Sequence, residues 1–67
     1  MNLVEGIQAE RKRVEELRRE YVAIGPSGAL ALAISIDPAL KEADASIASG
    51  DVVRMLSAYK SLQEITG

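Results

Sequence analysis

The apolar positions of the chain fall into four blocks separated by Gly, Pro and Asp. In the first, Leu3, Ile7, Val14, Leu17, Tyr21 and Ile24 recur at alternating steps of four and three, with Glu10 standing inside the row. Steps of this kind place side chains on one face of a helix. Asn2 suits the N-cap, and Glu5, three residues later, completes the spacing of a capping box. Gly25 suits a left-handed C-cap, and Pro26 forbids continuation. One long helix is expected over residues 3–24, about 33 Å in length at about 1.5 Å per residue.

Residues 27–36 admit two readings. With Ser27 as cap, residues 28–36 form a short helix that is apolar nearly all round, as a buried helix is. Leu30, Leu32, Ile34 and Ile36 also alternate with small residues, which is the strand period. Such a strand could pair only with another chain, because no other segment has a strand pattern. The alanines favour the helix. Asp37-Pro38 then reads as a restart, with Asp as N-cap, Pro at the first helical position, and Pro38 disfavouring helical geometry at Asp37. A third helix is expected over 38–49, with Leu40, Ala43 and Ile47 on one face and Lys41, Glu42 and Asp44 in solvent. Gly50 ends it, and Ser49 or Asp51 caps a fourth over 51–65. Val52, Met55, Leu56, Tyr59, Leu62 and Ile65 give that helix a broad apolar face. The short turn makes the last two helices an antiparallel hairpin. The expected fold class is all-α: a small helical bundle, one long N-terminal helix plus three shorter ones, in a single domain over residues 1–67.

Length changes this picture, because 67 residues bury only a modest fraction of their surface, roughly 60%. A single core of this size supplies no more than about 3–5 kcal/mol unless a disulfide, a metal or a partner subunit is added. Cysteine and histidine are both absent, which excludes disulfides and the usual zinc sites. Self-association or very efficient helix packing remains, and self-association, as a homodimer, is the favoured expectation. The core must be aliphatic, since the only aromatics are Tyr21 and Tyr59.

Charge narrows the function classes. Arg11, Lys12, Arg13, Arg18 and Arg19 crowd the first third, but Glu5, Glu10, Glu15, Glu16 and Glu20 balance them there, and the net charge is −2. A nucleic-acid footprint needs an unbalanced basic face. In a helix-turn-helix reading, the segment Pro38 to Ser49 would meet DNA, yet it carries no Arg, Asn or Gln for base edges. The longest apolar stretch, Ala29 to Ile36, is too short to span a bilayer, and no signal peptide is visible. A cytoplasmic protein without membrane or nucleic-acid partners is expected.

No constellation carries catalysis. Gly25-Pro26-Ser27-Gly28 lacks the lysine and spacing of a phosphate loop. Ser27, Ser57 and Ser61 have no histidine to activate them, and Ser57 with Lys60 is a commonplace helical neighbour pair. Asp37, Asp44 and Asp51 do not follow a calcium-loop pattern. No catalytic, metal or cofactor site is expected. The candidate partner interface is the row of the first helix: Ile7, Glu10, Val14, Leu17 and Tyr21. There Glu10 either faces an arginine such as Arg13 of a second chain, fixing register, or marks a point where the row is uncovered. Whether the row serves the chain's own core or a partner is open from sequence.

The segments Leu3-Val4-Glu5-Gly6-Ile7-Gln8, Ala23-Ile24-Gly25-Pro26-Ser27-Gly28-Ala29 and Ser49-Gly50-Asp51-Val52-Val53-Arg54-Met55-Leu56 resemble those of short uncharacterised helical proteins of bacterial phages and prophages. The resemblance spans most of the chain and implies a bacterial or phage cytosolic setting. It implies no activity and no site residues. The expected function is a non-enzymatic interaction or structural module that meets itself, or another host or phage protein, through helical surfaces. The competing expectation is a small nucleic-acid-binding regulator.

Overall fold

A computed structural model describes residues 2–65; Met1, Thr66 and Gly67 lie outside the described residues. All regular structure among the described residues is helical. Helix α1 spans Leu3–Ile24, α2 Pro26–Ala31, a π-helical turn Leu32–Ile36, α3 Asp37–Ser49 and α4 Val52–Glu64. The protein measures 35 × 19 × 17 Å, and α1 runs nearly the whole long dimension.

Both ends of α1 follow from local chemistry. The Glu5 N–H donates to Asn2 Oδ1 at 2.8 Å, and the Asn2 N–H donates back to Glu5 Oε2 at 3.4 Å. Two of the amides that a helix start leaves unpaired are thereby satisfied. At the other end the Gly25 N–H reaches Val22 O at 3.2 Å. Gly25 has φ 98° and ψ −142°, so it is not the left-handed cap that the sequence suggests. This region is open essentially to glycine alone. Gly25 is also the N-cap of α2, so one residue connects the two helices and Pro26 already occupies the first turn of the second. Ser27 is therefore inside α2 and does not cap it.

The corner is closed backbone against backbone. Gly28 is buried, and a Cβ there would lie 1.8 Å from Tyr21 O. Only a residue without a side chain lets α2 fold this tightly onto α1.

The expected break at Asp37-Pro38 does not form. From Pro26 to Ser49 the chain is helical throughout, with Ile36 and Asp37 both in right-handed helical geometry. Three helical rods result where four were expected. The Asp37 N–H bonds to Leu32 O, five residues back, in the wider π pattern. Pro38 follows with no N–H to leave unpaired. The wide turn also sets register. Gly28, Leu32, Ile36 and Leu40 are spaced by four, and in a regular α-helix each step of four drifts about 40° round the axis. The π turn takes up that drift, and all four positions are buried. No strand forms in this segment, which removes the intermolecular-strand reading.

Gly50, in left-handed geometry, ends α3, and Asp51 caps α4 by accepting from the Val53 and Arg54 N–H groups at 2.9 and 3.3 Å. Met55, Ala58 and Leu62 are buried on α4, whereas Val52 and Leu56, expected inward, are exposed together with Val53. The buried arc centres on the small Ala58, which turns the other side of the broad apolar face outward. The core joins Ile7 and Val14 of α1 to Leu32, Ile36, Leu40, Met55 and Leu62. Helix α4 packs against α1 and α3 and does not reach α2.

Candidate functional site

Three arginines of α1, Arg11, Arg13 and Arg18, are bound within the chain. Arg11 Nε and Nη2 donate to the two carboxylate oxygens of Asp44 on α3 at 2.8 and 3.1 Å, and Nη1 meets Glu15 one turn on. The hydrogen bonds with Asp44 push the Arg11 guanidinium above its ordinary range, and the charges of Asp44 and Glu15 act in the same direction against a desolvation cost. Arg18 Nε donates to Asp37 Oδ1 at 2.8 Å. Asp37, expected as an N-cap, instead fastens the π turn to α1. On the other side Arg54 grips Glu42 through two bonds of 2.6 and 3.1 Å, which hold the Glu42 carboxyl below its ordinary range.

Arg13 has the most connected position. Its Nε donates to Glu10 at 2.8 Å, while Nη1 and Nη2 donate to the carbonyls of Ile65 and Leu62, each at 2.9 Å. These carbonyls belong to the carboxyl end of α4, where unpaired acceptors and the negative pole of the helix favour a cation. Glu10 thus orients the Arg13 of its own chain, and the Arg13 fork caps a neighbouring helix.

The expected interface row is internal at two of its five positions and partly open at the other three. Ile7 and Val14 are fully buried in the chain's own core, Leu17 and Tyr21 are half-buried, and Glu10 is partly exposed beside Arg13. Ile7 and Val14 are thus closed to a partner in the folded chain. The physical reason is that α3 and α4 both pack on this face of α1.

Exposed apolar side chains lie elsewhere. Among the described residues seven large ones are buried (Ile7, Val14, Leu32, Ile36, Leu40, Met55, Leu62), and seven are exposed: Val22, Ile24, Leu30, Ile34, Val52, Val53 and Leu56. Four of the exposed seven fall between Tyr21 and Ile36, a stretch of sixteen residues without a single charge. Leu30 and Ile34, 64% and 67% exposed, stand one turn apart. They lie opposite Gly28 and Leu32, since two residues advance a helix by about 200°. The segment expected to be buried all round therefore has one face in the core and one in solvent. It is uncovered because α4 runs along the amino half of α1, with Tyr59 next to Gly6 and its last turn held by Arg13. Beyond that level only two rods remain.

Ser27, Ser57, Lys60 and Ser61 are all exposed, and Ser61 Oγ donates to the Ser57 carbonyl. Among the described residues no group of His, Cys, Asp or Glu is placed to hold a metal ion, and no helix is long and apolar enough to cross a membrane. Comparison of the chain with protein-family models, curated proteins and solved structures finds no match.

Proposed function

We propose that this protein is a non-enzymatic interaction or structural module that self-associates through helical surfaces. The observation that carries the reading is the equality between buried and exposed large apolar side chains in so short a chain. Isolated exposed hydrophobics are ordinary, whereas contiguous patches mark association sites. The internal pairing of Arg11, Arg13, Arg18 and Arg54 supports it further, because these guanidiniums are engaged by carboxylates and carbonyls of the same chain. That pairing weighs against a nucleic-acid regulator. The same reading takes the rods to close as a bundle with α3 and α4 antiparallel, which the Glu42–Arg54 pair across the Gly50-Asp51 turn supports. A bacterial or phage cytoplasmic setting accompanies it on the strength of the sequence resemblance. Sedimentation equilibrium tests the reading: a dimer is expected at tens of micromolar, and a monomer throughout that range would overturn it. A mobility shift with duplex DNA that weakens steeply with salt would favour the competing function.

A further inference from the structure

We infer that the charge-free end of the molecule, centred on Leu30 and Ile34, is the surface through which two copies of this chain pair about a two-fold axis. The inference rests on the self-association reading and adds to it the identity of the surface.

Three observations point to a second copy. The first is electrostatic. In a two-fold contact the residues near the axis meet themselves, so any charge there faces a like charge. The stretch from Tyr21 to Ile36 has none of its own, and Glu64 of α4, which comes beside Tyr21, Ala31 and Ser35, does so in a cavity that Leu30 and Ile34 do not line. The second is size. A stable contact covers about 800 Å² on each partner, roughly a fifth of the 4360 Å² surface of this chain. Sixteen consecutive residues at one end, most of them exposed, are commensurate with that area. The third is shape. Leu30 and Ile34 form a ridge beside exposed Ala29 and Ala33, whose small side chains let a second helix approach closely. A lipid surface fits less well. The collar below this end carries Glu20 and Asp37 beside Arg18 and Arg19, and Arg18 is already bound to Asp37, so no excess of cations surrounds the patch. Anionic headgroups would find no net attraction there.

The stripe of Val52, Val53 and Leu56 on α4 supplies the internal comparison, because it is equally exposed but flanked by Asp51, Arg54 and Lys60. The test is sedimentation equilibrium on the full chain with Leu30→Glu, Ile34→Glu and Val53→Glu, each checked for helix content by circular dichroism. All three side chains are in solvent, so the fold should be retained. The expected result is a dimer for the starting sequence and for Val53→Glu. The dissociation constant should rise at least about thirtyfold for Leu30→Glu and Ile34→Glu, the loss of about 2 kcal/mol at an interface anchor. Ala33→Cys, in a chain with no other cysteine, should form a disulfide-linked dimer when diamide is added to take up the two electrons and two protons. If the starting sequence is a dimer that Val53→Glu disrupts and Leu30→Glu does not, this inference falls while self-association stands. If the starting sequence is a monomer, both fall. Co-sedimentation with phosphatidylserine-containing vesicles that is lost in Leu30→Glu would overturn the inference in favour of a membrane.

Discussion

Gly28 and Gly6 both lie inside helices and face another element, yet alanine should act on them in opposite directions. A methyl at Gly28 would meet the Tyr21 carbonyl at 1.8 Å, and neither backbone can give way without opening the corner. Gly28→Ala should cost about 3 kcal/mol or more in urea unfolding, at the upper end of overpacking effects. At Gly6 the nearest atoms are those of the Tyr59 ring, 3.6 Å away, which is ordinary contact. Gly6→Ala should therefore stabilise by about 0.5–1 kcal/mol, the usual gain in a helix interior. Nothing in the sequence separates the two. Gly28 is there only the first residue of the expected short helix, because backbone proximity between α1 and α2 leaves no mark in the residues around it. Arg13 was equally hidden, since its partners at the end of α4 are main-chain carbonyls, which every residue has.

Among the elements, α1 was the most legible. Asn2 and Glu5 at one end and Gly25-Pro26 at the other are strong local signals, and the apolar row between them has an unambiguous period. Asp37-Pro38 misled because the same dipeptide that starts a helix is also tolerated inside one, where a π turn removes the need for a proline N–H. The spacing by four of Gly28, Leu32, Ile36 and Leu40 was the available clue, since a regular α-helix would let that row drift off the core. The end of α4 offers the test at this scale. Arg13→Ala should destabilise by about 1 kcal/mol, a charge-assisted cap discounted for its partial exposure. Amide hydrogen exchange in the last turn of α4 should quicken with it. Arg13→Lys should recover little, because one ammonium cannot span Glu10 and two carbonyls as a fork does.

For the molecule as a whole, helical class could be read from composition and period, but the placement of the candidate surface could not. Burial of the Ala29 to Ile36 segment on every side required a third rod above it, and only the packed lengths of α1 and α4 show that none is there. The apolar row Ile7, Val14, Leu17 and Tyr21 is plain in the sequence, while its role depends on which helices return to it. Acid should weaken the assembled fold. Arg54 holds the folded Glu42 carboxyl below its ordinary value of 4.5, so this pair stabilises above that pH. The contribution is lost as pH falls below 4.5 and through the lower folded value. The melting temperature should drop over that window, and Glu42→Gln should flatten part of the drop. Since both side chains are in solvent, the effect should be small and should shrink further in high salt.

The cap that Arg13 places on α4 has a consequence for the order in which the chain assembles. It joins residues 49 and 52 positions apart, whereas α3 and α4 meet across two residues. Closing nearly the whole chain costs more entropy than closing a short turn, so the cap forms late, after α4 has docked. An interaction absent from the transition state acts on escape from the native state alone. Loss of the Arg13 side chain should accordingly speed unfolding and leave the folding rate almost unchanged.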